Sequence, residues 1–593
     1  MSGTPRAGAR SMNGEKDELP WLTSVERWFL RAGLFALPLA FGLGAYDEYV
    51  MPKLVVARGL LIGLLILFIA RIAFSGRIVI KRTPLDIPLV ALLASAVLST
   101  AFAYNQNVAI FGTYSRYDGL LTLFTYAGLF WLSVQALKSP DDARVLLRVL
   151  LVAAYAVAVI AILQVVRDSL RVGGFTAAFG TMGNANVLGA FLAMAFVLGL
   201  SELAVAQSAS GRILVVNLLV VVGLALLMSF SRSGWLGAAL GSAIVLAGSR
   251  RSISWASMAA ALGGIVAALV AVAFVAGSGM GRGFELERQL IHRGLTVFNF
   301  GEWGSSRLHI WADSVNLIAS RPLTGYGPDN FGLVYPSFES GDWGVTNVGF
   351  HQQIDKAHAE TLQVAATQGL IGLAAYLWIL VAFGRAFWAG RRQPGAVAVF
   401  AAFVAYQVTI QLNFTALASA FPFWILAGAA MILFGAARPS RTLVVRRRAP
   451  LLAASLVLYV AIVAVALPAV AYPYVADAEL RSSINANSQG RPSDARTDAD
   501  LAWSYAPQES VYAVEAANLA LETHDSNAAR DGFLEAIRLG TYNPFVYMNL
   551  ALVDLLDLGR PDEALWAARM AVQLNRFDPA FQALVAQIQA RSP

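Results

Sequence analysis

The sequence predicts an all-α polytopic membrane protein, with about 12–13 transmembrane helices followed by a C-terminal helical-repeat domain. Three observations carry this. Only 14% of the residues are charged and 57% are hydrophobic, with a mean hydropathy of +0.60, where a soluble domain carries about 25% charged residues. Apolar runs of about 17–25 residues, the length that crosses a bilayer, recur from Trp28 to Tyr472. Beyond Pro473 the charge changes sign and the chain begins to repeat itself.

The composition also excludes. The chain has no Cys among its 593 residues, which removes thiol catalysis, Cys-ligated zinc and disulfides. Residues 473–593 hold 9 Arg, no Lys and 16 Asp or Glu, a formal charge of −7 against +7 for the whole chain. The basic excess therefore lies in the membrane part, and the high isoelectric point points to no nucleic acid.

Taken in order, thirteen apolar runs are expected to span: 28–45, 54–74, 85–103, 118–136, 146–166, 186–206, 213–229, 232–249, 254–277, 361–385, 395–413, 417–436 and 449–472. The N-terminal tail 1–27 carries mixed charge and no small-residue cleavage site follows the first run, so 28–45 reads as a retained span. Lys and Arg set the direction. With the N-terminus inside, the inner loops and span ends hold eighteen basic residues and the short outer loops five. This orients the chain as a multi-pass membrane protein, with a cytoplasmic tail 1–27 and a membrane domain 28–472. The long loop 278–360 and the region 473–593 are then extracytoplasmic. The loop carries His292, His309, His351 and His358, without the spacing of a metal site.

The C-terminal region repeats with a 35-residue offset. Residues 525–544 (DSNAARDGFLEAIRLGTYNP) align with 560–579 (RPDEALWAARMAVQLNRFDP), pairing Ala529 with Ala564, Ala536 with Ala571, Leu539 with Leu574 and Pro544 with Pro579; a degenerate copy opens at 490–495. Small residues at helix crossings, with Pro closing the second helix of each unit, resemble tetratricopeptide repeats. Such a stack implies a face for a protein partner or for presenting substrate.

Chemistry has few places to reside. There is no phosphate-binding Gly-rich loop, no zinc-protease motif and no nucleophile elbow, and nothing calls for a cofactor or metal. What remains is polar sequence at outward span ends. Asn184 and Asn186 open the sixth span, and Ser229–Trp235 with Arg232 turn between the seventh and eighth. Arg307 and Trp311 lie in the long loop, as does the turn 321–331 (RPLTGYGPDNF). Residues 355–363 (DKAHAETLQ) lead into the tenth span.

In this order the segments resemble the O-antigen ligase and polymerase family, membrane glycosyltransferases that use polyprenyl-diphosphate sugars. The clearest match is a His, ten residues, then a Gly: His358 to Gly369. Ala359 stands where many relatives carry Asn. The resemblance covers about residues 180–435 and implies a GT-C-like fold and a metal-independent transfer. His358, Arg232 and Arg307 are the implied catalytic residues, and Asn184, Asn186, Glu360 and Trp311 the substrate-binding ones. The implied partners are a polyprenyl-diphosphate-linked glycan donor, a lipid, glycan or protein acceptor, and membrane lipids.

The residue types suit those roles. Arginine's planar fork is always protonated and binds paired phosphate oxygens. An imidazole with a normal pKa near 6.5 suits general-base work on a hydroxyl. The 321–331 turn reads as structural, its Gly and Pro serving to bend the chain. O-antigen polymerase and protein O-oligosaccharyltransferase use the same chemistry on other acceptors. A small-anion or lipid-linked-sugar transporter and a non-catalytic assembly platform are the remaining readings.

Overall fold

A computed structural model describes residues 19–42, 44–172, 176–248, 254–276, 292, 305–341, 353–440, 442–444 and 448–591. Each apolar run falls on a helix: α1 (Pro20–Leu39), α2 (Met51–Ser75), α3 (Asp86–Ala101), α5 (Leu120–Ala136), α6 (Pro140–Val172), α7 (Ala185–Val205), α8 (Ala209–Met228), α9 (Arg232–Gly248) and α10 (Trp255–Ala276), then α13 (Glu360–Gly390), α14 (Ala396–Gln411), α15 (Leu417–Leu433) and α16 (Arg448–Ser488). Three shorter helices sit in the connections: α4 (Gln106–Phe111), α11 (Ser305–Ser320) and α12 (Phe331–Val334). Among the described residues six helices are long and apolar enough to cross a membrane, and further apolar helices of 10–17 residues accompany them.

The two largest boundary differences from the sequence reading lie at the first and last spans. The first helix starts at Pro20, not Trp28, because its charges find partners: Glu26 pairs with Arg71 at 3.0 Å, and Arg27 and Arg31 both reach Asp142. The run 449–472 is the first part of a 41-residue helix that continues to Ser488, so no break falls at 473. Leu456, Val457, Val460, Val465 and Leu467 are exposed along it, as on a helix facing lipid.

The membrane helices share one continuous buried core. Packing is close because small residues face one another. On α9 a Cβ at Gly237 would lie 2.3 Å from Ala405 O, and one at Gly234 would lie 3.0 Å from Gly189. Two short antiparallel ladders tie loops together at one end of the bundle: β1 (Arg77–Ile78) with β4 (Leu443–Val444), and β2 (Lys81–Arg82) with β3 (Arg438–Pro439).

The tail is a run of helix pairs. First helices begin at Pro492, Ser526 and Pro561 and second helices at Ser510, Pro544 and Pro579, so the unit recurs every 34 or 35 residues. We number these helices α17 to α22 in chain order, from α17 (Pro492–Tyr505) to α22 (Pro579–Arg591). Ala495, Ala529 and Ala564, and likewise Ala502, Ala536 and Ala571, are fully buried, so the repeated alanines mark where only a methyl group fits between helices. Pro544 and Pro579 open the second helices of the last two pairs and do not close them, as the fixed φ and missing N–H of Pro favour.

Candidate active site

The site is built from a break in α13. Gly369 takes φ 67 and ψ −173 inside that helix, and a Cβ there would lie 2.2 Å from Leu323 O. The break frees backbone groups, and the 321–327 turn takes them: Leu370 N donates to Pro322 O at 2.7 Å, Tyr326 N to Ala366 O at 3.1 Å and Gly327 N to Thr367 O at 2.9 Å. The spacing from His358 to Gly369 is thus one of backbone geometry. It sets where the turn docks relative to the start of the helix, and only Gly allows it.

The docked turn presents Asp329, which accepts from Lys356 Nζ at 2.7 Å, while Asp118 accepts from the same ammonium at 2.8 Å. The other Asp329 oxygen accepts from Thr113 N and Oγ1. Three segments distant in sequence are locked together. Burial alone would lower the pKa of Lys356, but Asp118, Asp329 and Asp355 more than offset it and hold the ammonium above the ordinary lysine range.

Flanking this lock, Asp355 pairs with Arg116 at 2.6 Å. The Arg116 guanidinium lies 5.1 Å over the Phe414 ring, and His358 meets the same ring edge-on at 5.4 Å. Burial, then the charge of Arg307, pushes the His358 pKa down to about 4, so its imidazole is neutral near pH 7. Asn413 beside the ring favours the charged form, yet neither His358 Nδ1 nor Asn413 Oδ1 has a hydrogen-bond partner among the described residues. Strain gathers here as well. Of the described non-Gly residues with positive φ, Ser115, Tyr117, Asp329 and His358 belong to these segments, and Phe230 adjoins Arg232 in the turn before α9. Such conformations persist where surrounding structure enforces them, and they cluster at functional sites.

Arg307 and Trp311 are one helical turn apart on α11 and share a face. Arg307 Nη1 donates to Leu412 O. Burial brings the Arg307 pKa down to about 10, and the neighbouring charge of Arg232, at the first residue of α9, acts in the same direction. Two guanidinium groups held together in a desolvated place form an arrangement that an anion with several oxygens stabilises. The structure therefore brings Arg232, Arg307 and His358 into one neighbourhood. Trp311 Nε1 is buried and makes no hydrogen bond among the described residues.

The remaining predicted residues have local partners. Asn184 Oδ1 caps α7 by accepting from Asn186 N and Val187 N, while its side chain lines a cavity of about 210 Å³ with Arg116, Asp118 and Phe414. Asn186 lines none of the cavities described here. Glu360 Oε2 accepts from Thr415 N and borders a tighter cavity of about 100 Å³ with Asp118, Lys356 and Phe414. Sequence reasoning missed Arg116 and Asp118 as site residues; Arg116 counted only as one of the five basic residues of the short outer loops. The available signal was the turn between Gly112 and Gly119, whose residues Ser115 and Tyr117 adopt positive φ. Asp329, in a turn read as structural, is also part of the site.

Residues 216–377 match the family model for O-antigen ligase. This segment includes Arg232, Arg307, Trp311, His358, Glu360 and Gly369, and leaves Arg116, Asp118 and Asn184 outside. No curated protein matches the chain. Among solved structures, a thermophilic TPR protein of Thermus thermophilus is 16% identical over 37% of this chain and 94% of its own, with a TM-score of 0.17. The APC/C hetero-tetramer Cut9–Hcn1 is 11% identical over 79% of this chain and 94% of its own, with a TM-score of 0.20. At such TM-scores the repeat character of the tail rests on its own helix periodicity. The chain is thus a membrane protein with an O-antigen ligase-like segment and a helical-repeat tail.

Proposed function

We propose that the protein is a glycosyltransferase of the inner membrane. It would move a glycan from a polyprenyl diphosphate to an acceptor hydroxyl on the outer side, without a metal. The observation that carries this reading is the convergence of Arg232, Arg307 and His358 on one end of the bundle, next to Arg116. Arg232 and Arg307 hold the diphosphate and neutralise the charge that grows on it as the sugar–oxygen bond breaks. His358, neutral before reaction, takes the proton of the acceptor hydroxyl as its oxygen bonds to the anomeric carbon. A direct displacement of this kind inverts that carbon. The diphosphate also adds negative charge beside the imidazole, which raises its basicity when the donor is bound.

In this reading the N-terminus is cytoplasmic, and the long loop and the tail 473–593 are extracytoplasmic. The tail docks on the loop that carries Arg116: Asn107 Nδ2 donates to Gln508 O at 2.8 Å and to Leu539 O at 3.0 Å, and Asn105 Nδ2 to Arg538 O at 3.1 Å. A cavity of about 520 Å³ lies at this joint, lined by Arg116 and Asp355 as well as Glu509 and Tyr542. This favours a tail that presents the acceptor, whether lipid, glycan or protein. The test is glycan transfer from purified lipid donor. His358→Ala is expected to lose about 10²–10⁴ in rate, and equal turnover in both proteins would remove the proposed base.

A further inference from the structure

At the end of the bundle away from His358, Arg82, Arg385 and Arg438 line one cavity of about 750 Å³. Arg385 lies 25 residues beyond Glu360 on α13, roughly 35–40 Å along the axis. Arg82 and Arg438 are direct cross-strand partners in the β2–β3 ladder. Residues opposite each other in an antiparallel pair project from the same face, and like charges there repel. No carboxylate lines the cavity, and none of the three side chains makes an ion pair or hydrogen bond among the described residues. The nearest carboxylate in sequence, Asp86, is taken by Thr83 N and Oγ1. Residues 438–448 add further arginines and no acid.

The rest of the cavity wall is apolar: Trp378, Val381, Ala382, Phe434 and Ala436. Trp378 and Val381 are also half-exposed on the outer face of α13, where a spanning helix meets acyl chains. A fold that sets two exposed guanidinium groups against each other, adds a third and supplies no acid concentrates positive charge where an anion is attracted. The apolar wall indicates what the anion is attached to.

We propose that this cavity binds the phosphate head group of an anionic membrane phospholipid, its acyl chains lying along Trp378 and Val381. Three arginines receive the phosphodiester, which relieves the cross-strand repulsion and pins the two loops to α13. The site is separate from the donor site and does not depend on the proposed transfer activity.

The test is native mass spectrometry of the detergent-purified full chain titrated with phosphatidylglycerol, with zwitterionic phosphatidylcholine, whose choline cation cancels its phosphate charge, as the net-neutral comparison. An arginine near the membrane surface contributes about fivefold, so three give a preference on the order of a hundredfold for phosphatidylglycerol. R82Q/R385Q/R438Q is expected to abolish that preference, R82K/R385K/R438K to keep most of it, and R385Q alone to lose about fivefold. Should the triple Gln variant fail to fold, the single variant carries the test. Two results overturn the proposal: phosphatidylglycerol retained equally by the wild type and the Gln variants, or its displacement by millimolar inorganic phosphate, which would make this a free-anion site.

Discussion

The depressed basicity of His358 yields a sharp pH signature. Burial and Arg307 bring its pKa from an ordinary 6.5 to about 4. At pH 5 an ordinary imidazole is about 3% neutral and this one about 90%, a difference of about thirtyfold in competent base. The value of kcat/KM, which reports the free enzyme, should therefore hold down to about pH 4 and fall about tenfold per unit below that. Bound diphosphate offsets the arginine charge, so the acid limb of kcat is expected at higher pH than that of kcat/KM. Arg307→Gln removes the second-largest of the lowering causes, and its kcat/KM limb should move up toward 6.5 by part of the gap, since burial and the charge of Arg116 remain. The assay is initial-rate glycan transfer from purified polyprenyl-diphosphate donor between about pH 3.5 and pH 8, with stability checked at each point. A wild-type kcat/KM limb at 6.5, or an Arg307→Gln limb that does not move, would refute the assignment of His358 as the base.

Gly369→Ala forces a Cβ against Leu323 O at a positive φ, so a loss of at least about 2 kcal/mol in detergent melting is expected, with loss of activity through the undocked turn. Lys356→Met leaves Asp118 and Asp329 facing each other without their shared cation; a cost of about 3–5 kcal/mol should appear as poor folding yield, partly restored by adding Asp329→Asn. Glu509, in the turn before the tail helix Ser510–Glu522, has a carboxyl pushed up from 4.5 to about 8 by burial. The folded state keeps a proton that the unfolded state releases, so this contribution is complete below about pH 4.5 and is lost as pH rises toward 8. Glu509→Gln should flatten that decline, measured as unfolding midpoints at about pH 5 and about pH 9.

The spans were legible because hydrophobic length is a local property, and the tail because its alanines recur where helices touch. The start of the first helix was not legible. Glu26 and Arg31 look too polar to be helical at a membrane edge until Arg71 and Asp142 come to meet them. The same limit hid half of the site. His358, Arg232 and Arg307 stand out by type and spacing, whereas Arg116 and Asp118 acquire meaning only through Asp355 and Lys356, some 240 residues away. The spacing from His358 to Gly369 was visible as a pattern, but its cause is a docked turn that no linear reading contains.

Asp477 alters how the tail should be probed. Its carboxylate receives Tyr114 Oη at 2.5 Å, Tyr512 Oη at 3.3 Å and Asp47 N at 2.8 Å, gathering two loops and a repeat helix around the long α16. Removing the chain after this knot does more than discard a recruiting arm. It also strips the roof from Tyr114, two residues before Arg116, and leaves that loop without its brace. A truncated protein would then fail for architectural reasons even if no other macromolecule ever visits the tail. Point changes on the outward faces of α19 (Ser526–Leu539) and α21 (Pro561–Leu574) keep the roof in place, and so separate recruitment from scaffolding.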